Sequence, residues 1–165
     1  MSSLQTGSAR TKKYTAAQAF EKISHYCAYQ ERSHREVRNK LYTYGLFKNE
    51  VEDLLTRLIT DGFLNEERFA KAFAGGKFRI KHWGRNKIVH ELEAHALTPK
   101  CIQKGLQEID NAQYELTLKE LLRKKWTQSS ETNQFKKRDK AARHAIGKGF
   151  EPELVWRIVK EITVA

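Results

Sequence analysis

One segment, the end of a helix and the start of the next, recurs three times in the same register. Lys40 to Leu58 reads KLYTYGLFKNEVEDLLTRL, Glu91 to Ile109 reads ELEAHALTPKCIQKGLQEI, and His144 to Ile162 reads HAIGKGFEPELVWRIVKEI. Apolar residues coincide in four tiers: Leu46, Leu97 and Phe150; Val51, Ile102 and Val155; Leu55, Leu106 and Val159; Leu58, Ile109 and Ile162. The offsets are 51 and 53 residues, and Pro99 and Pro152, the only two prolines, fall at equivalent positions. A period of about 50 residues marks stacked helical units, each unable to bury its apolar face alone. It predicts an all-α fold: an elongated, curved array of three tandem three-helix repeats.

Helix boundaries follow from capping chemistry. Thr15 with Gln18 and Ser33 with Glu36 are capping-box pairs, in which side chains satisfy orphan amides at a helix start. Thr98 precedes Pro99, and a proline at the first helical position lacks only an amide that would be unpaired anyway. Gly45 sits where a left-handed cap ends its helix, and Gly62 and Gly149 close theirs. Asn65 caps a helix whose first turn carries Glu66 and Glu67. Gly75-Gly76 is expected to weaken the middle of that helix, by about 1 kcal/mol per glycine relative to alanine, and a break is expected at Trp83-Gly84. Nine helices are predicted. The divisions are a basic disordered tail over 1–14 and repeats over 15–63, 64–109 and 110–165. No stretch alternates in the manner of a strand.

Composition directs attention to a polyanionic partner. The formal net charge is +11 over 165 residues, with a pI of about 9.7. Such an excess suits nucleic acid, an anionic membrane or an acidic protein. The two cysteines, Cys27 and Cys101, show no metal spacing. The first residues lack a signal-peptide core, and no run approaches the ~20 apolar residues of a membrane span. A reduced, cytoplasmic protein is expected.

Catalytic signatures are missing. His90 and His95 resemble the two histidines of a zinc-protease helix, but five-residue spacing puts them on different faces. Gly75-Gly76-Lys77 lacks the preceding glycine and the hydroxyl of a phosphate-binding loop. Carboxylates concentrate in first helical turns (Glu36, Glu50, Glu66, Glu67, Glu153), where they stabilise helices. No catalytic residue, metal ligand or cofactor is assigned.

The basic residues bunch in three regions: Arg32, Arg35, Arg38 and Lys40; Lys77, Arg79, Lys81, Arg85 and Lys87; and Arg123, Lys124, Lys125, Lys136, Lys137, Arg138, Lys140 and Arg143. In the repeat register His34, Arg85 and Arg138 coincide, at the starts of the middle helices. Stacking would line these starts along one side as a basic stripe able to neutralise phosphates without regard to sequence. The residues chosen for contact are Arg79, Lys81, Arg85 and Lys87, then Arg35, Arg38, Lys136, Lys137 and Arg138. Phe78, His82 and Trp83 interleave with the second region; they either stack on bases or plug the junction between repeats, and burial favours the plug. Trp156 stands where the other repeats carry Glu52 and Gln103, and reads as a contact surface or a cover for the end of the array.

Tyr29 to Leu41 (YQERSHREVRNKL) followed by Gly45-Leu46 resembles the opening of the RecX regulatory family. Leu58 to Ala70, LITDGFLNEERFA, is similar to that family's most distinctive segment, and Arg85 to Leu92 and Lys148-Gly149-Phe150 also fit. The resemblance covers about residues 15 to 162. It implies an all-α array of three-helix repeats, no enzymatic activity and no cofactor. It also implies a role in homologous recombination, DNA repair and the SOS response. The implied partner is the RecA recombinase filament on single-stranded DNA, met by a monomer that lodges in the filament groove and inhibits ATP hydrolysis and strand exchange, with no membrane involved. Weak direct DNA binding fits beside it. A stand-alone, sequence-independent nucleic-acid-binding helical module is the alternative. The family's marked positions here, Gly62, Phe63, Asn65, Arg68 and Phe69, read as structural. The chain departs from the family at Ala96-Leu97, where glycine is usual, and at Ala145, where the other repeats have Leu41 and Leu92.

Overall fold

The computed structural model describes residues 13–164. Within them the elements are α1 (Ala16–Tyr29), α2 (His34–Thr43), α3 (Lys48–Thr60), α4 (Glu66–Lys81), α5 (Arg85–Ala94), α6 (Pro99–Leu106), α7 (Asn111–Gln128), α8 (Gln134–Gly147) and α9 (Pro152–Thr163). The described residues contain no strand, so the fold is all-α and built of three-helix sets. Most of the predicted tail, residues 1–12, lies outside the described residues. Its last two residues are docked on the first three-helix set. The Tyr14 amide donates to the Tyr44 carbonyl at 3.1 Å, its ring meets Tyr44 edge-on, and Lys13 pairs with Glu50 at 3.2 Å.

Local chemistry fixes the helix ends. The Thr15 hydroxyl accepts from the Gln18 amide while the Gln18 side chain accepts from the Thr15 amide at 3.0 Å, closing the expected capping box. The Ser33 and Thr98 hydroxyls cap α2 and α6 by accepting from the Glu36 and Cys101 amides. Asp110 caps α7 through the Gln113 amide, and Asn133 caps α8 through the Lys136 amide. Gly45, Gly62 and Gly149 take φ of +82°, +81° and +100°. Ala96 takes φ +61° without being glycine, and it closes α5 as Gly149 closes α8. Leu97 donates back to the Leu92 carbonyl, and Phe150 to the Ala145 carbonyl. The chain therefore keeps the left-handed turn of the repeat at Ala96 and bears its steric cost.

The structure overrides one local expectation. α4 runs unbroken through Gly75-Gly76. Its buried face, Phe69, Ala70, Ala74 and Phe78, gains from packing what the glycines lose in propensity. The break after Lys81 falls where expected, through His82 at φ +55°.

The chain divides into two compact units, one ending at Asn65 and one beginning at Glu66. In the first, α1, α2 and α3 enclose Ala19, Ile23, Val37, Leu41, Val51, Leu55 and Leu58. In the second, α4 to α9 share one core that extends from Phe69 to Val159. Ten of the twelve residues in the four repeated apolar tiers are buried, and Leu106 and Ile162 pack half-buried against the second core. In that unit α6 approaches α4 so closely that a Cβ at Gly105 would sit 2.7 Å from the Ala70 carbonyl oxygen. The irregular position Ala145 is fully buried beside Ala141 and Ala142. Small side chains there let α8 seat against α7 and α9.

Candidate functional site

The second and third three-helix sets are joined by a polar clasp around Tyr114, the first large buried residue of α7. Its ring lies between Phe78 of α4 and Phe150, with centroids 5.6 and 5.0 Å away. Its hydroxyl accepts from the Arg85 amide at 3.0 Å and donates to Glu151 in a short hydrogen bond. The Arg85 guanidinium stands 3.8 Å over the ring, pairs with Glu151 at 3.0 Å and donates to Asn111 at 2.6 Å. Burial, then the Glu151 carboxylate, pushes the Tyr114 phenol above its ordinary pKa. The backbone completes the seam. Gly84 donates to the Lys148 carbonyl at 2.8 Å and Asn86 to the Gly149 carbonyl at 2.9 Å. A Cβ at Gly84 would lie 2.2 Å from the Gly149 carbonyl carbon, so only glycine allows the two backbone segments to meet.

Three arginines chosen for contact are thus held within the protein. Arg85 is part of the clasp. Arg138, which the register places at a helix start, lies one turn inside α8 because that helix begins at Gln134. It donates to the Thr163 hydroxyl at 2.9 Å. Arg38 reaches from α2 to Glu52 of α3 at 2.8 Å, and that hydrogen bond lowers the Glu52 pKa. Across the second unit, then, Arg85 and Arg138 do not form an open row of phosphate ligands. Each ties one helix to another, a role the repeat register alone does not reveal.

The remaining basic candidates form two open groups in the second unit. At the end of α4, Arg79 and Lys81 are exposed, flanking Ile80, which is 76 % exposed. The Arg79 guanidinium lies back along α4 over Gly75. Nearby Trp83 packs edge-on to Phe73 and carries the Lys77 and Lys87 ammonium groups 4.9 and 4.5 Å from its ring. Phe78 is buried in the core and Trp83 half-buried against it, which is the junction role; His82 is exposed. Trp156 also packs half-buried on the core. The second group lies on α7 and α8. Lys136 is exposed, and Lys137 places its ammonium 4.3 Å from the Trp126 ring. In the first unit Arg35 is exposed on α2.

Two family models match the chain: RecX, second three-helix domain, over residues 65–106, and RecX, third three-helix domain, over residues 113–159. The chain belongs to the RecX family. Its matches include the regulatory protein RecX of Prosthecochloris aestuarii, 27% identical over 137 residues, which cover 83% of this chain and 88% of that protein. The regulatory protein RecX of Oceanobacillus iheyensis is 20% identical over 92% of this chain, but this chain spans only 56% of its length. Among solved structures, RecX from Lactobacillus salivarius superposes with a TM-score of 0.80 at 18% identity, over 89% of this chain and 96% of that one. The matched domains coincide with α4–α6 and with α7–α9, the two sets that share one core. No helix among the described residues is long and apolar enough to cross a membrane.

Proposed function

We propose that this RecX-family protein binds the RecA recombinase filament on single-stranded DNA. It lodges in the filament groove and restrains ATP hydrolysis and strand exchange. Family membership supports a regulatory role; the charge distribution supports a nucleoprotein target. Between Arg123 and Lys148 nine Lys and Arg residues face two carboxylates, a formal excess of seven within a chain whose total is +11. That concentration is the observation that carries the proposal, because a polyanionic partner gains from meeting many like charges at once.

The mode of action is steric and electrostatic, and it needs no chemistry from this chain. Arg79 and Lys81 at the end of α4, Lys87 on α5, and Lys136 and Lys137 on α8 are the proposed contacts in the second unit. Arg35 serves in the first, where Arg38 is tied to Glu52. Arg85 and Arg138 hold the scaffold that presents them. A bound helical domain would block the incoming duplex or the subunit motion that accompanies hydrolysis.

The test is a titration of the DNA-dependent ATPase of RecA with this protein. Inhibition saturating at a defined ratio to filament is expected; no effect at stoichiometric excess overturns the reading. Equal affinity for bare single strands and for filament would instead favour the stand-alone nucleic-acid-binding module.

A further inference from the structure

A cleft of about 390 Å³ opens between the end of α7 and the second turn of α8, lined by Lys125, Gln128, Ser129, Ser130, Lys140 and Ala141. We propose that this cleft seats the phosphodiester backbone of a nucleic-acid strand. Lys125 and Lys140 each neutralise a phosphate, and Gln128 and Ser130 donate hydrogen bonds to its oxygens. The proposal rests on the reading above only in taking nucleic acid as part of the target; it assigns the strand to a place that reading did not.

The lining is wholly suited to an anion. Both lysines are exposed, and neither is ion-paired to a carboxylate among the described residues. The two acids of the region are engaged elsewhere. Glu131 accepts from the Asn133 amide at 3.2 Å, and Asp139 pairs with Arg143 at 2.8 Å. Burial, then the charges of Lys125 and Lys148, hold the His144 pKa below its ordinary value. On its other flank α7 is neutralised: Glu115 pairs with Arg157 at 2.8 Å, and Lys119 with Glu161 at 3.8 Å. One side of α7 therefore spends its charges on α9, and the other leaves them facing solvent across a groove. Lysine is a compact charge on a long stem, able to follow a phosphate chain without reading bases. A membrane would also need exposed apolar lining, and Ala141 is the only apolar side chain in the cleft.

The experiment measures binding of a fluorescent oligothymidylate to the full chain by anisotropy across a series of sodium chloride concentrations. Lys125→Gln/Lys140→Gln is compared with wild type and with Lys48→Gln/Lys100→Gln, which removes two exposed charges from α3 and α6. Each phosphate contact on a single strand contributes about 0.7 to the slope of log affinity against log salt. The cleft variant is expected to lose about 1.4 from that slope, the control variant far less. Lys125→Arg/Lys140→Arg should keep the wild-type slope. An unchanged slope in the glutamine variant, an equal loss in the control, or a loss in the arginine variant overturns the proposal. So does poly-aspartate competing as well as unlabelled oligothymidylate at equal charge, which would give the cleft to an acidic protein surface. The recombinase ATPase separates the two ideas. A slope loss with no ATPase inhibition by wild type sinks the filament reading and keeps the cleft; inhibition with no slope loss does the reverse.

Discussion

Tyr114 shows how much one side chain can hold. It is 1% exposed, and its hydroxyl serves Arg85 and Glu151 at once. Tyr114→Phe keeps the ring stack but leaves the half-buried Arg85 amide without its acceptor and Glu151, still paired with Arg85, without the phenol donor. The expected loss is about 1–3 kcal/mol, read from urea unfolding, with helical content retained at low denaturant. Arg85 tests the same clasp from the other side. Arg85→Glu is expected to lower the melting temperature, whereas Arg79→Glu/Lys81→Glu is expected to weaken ATPase inhibition at unchanged melting temperature. Ala96 carries the opposite kind of prediction. At φ +61° an alanine pays for a left-handed turn that glycine adopts freely. Ala96→Gly is therefore expected to stabilise by about 0.5–1 kcal/mol, after the entropy that glycine adds to the unfolded chain.

At the scale of elements, α1 supplies a pH dependence. Cys27, on its inner face, is 7% exposed, and burial pushes its thiol up from 9.0 to about 11. Tyr26 and Tyr44, beside it, are also raised, chiefly by burial. An acid whose pKa is raised on folding holds its proton in the native state after the unfolded chain has released it. Its stabilising contribution is complete below pH 9 and is lost as pH climbs toward 11. Denaturant unfolding followed by far-UV dichroism at 222 nm should therefore show the first unit weakening across that window. At pH 8 Cys27 should resist a thiol reagent until denaturant is added, since the thiolate is the reactive form. The α4–α6 contact gives a second element-level expectation. Gly105→Ala forces a Cβ against Ala70 and should destabilise the second unit by about 1–3 kcal/mol, as overpacking does.

For the whole molecule the governing quantity is charge and where it is left uncompensated. The salt-bridge pattern neutralises the α7–α9 side, while the α7–α8 side retains its lysines. Binding to any DNA-containing target should accordingly weaken steeply with salt. Raising sodium chloride from 50 to 200 mM is expected to lower affinity for a filament about sevenfold if two phosphates of the single strand are contacted, and more if further phosphates are. A flat salt response in that titration would mean that the basic surface takes no part in binding.

The sequence by itself determined the all-α class, the threefold register, the boundaries of most helices and the family. These are local or periodic properties: capping pairs, proline and glycine positions, and apolar spacing are written into short windows, so no distant contact is needed to read them. Tertiary structure alone decided which cations are available. Arg85 and Lys125 look alike in the chain. One folds onto Glu151, 66 positions away, and the other faces open water across a cleft, because ion pairing depends on which helices come together. The glycines at 84 and 105 were equally silent, since their purpose is the close approach of a backbone far away in the sequence. Continuity of α4 through Gly75-Gly76 was likewise settled by burial, which outweighs propensity once a helix has a core to face.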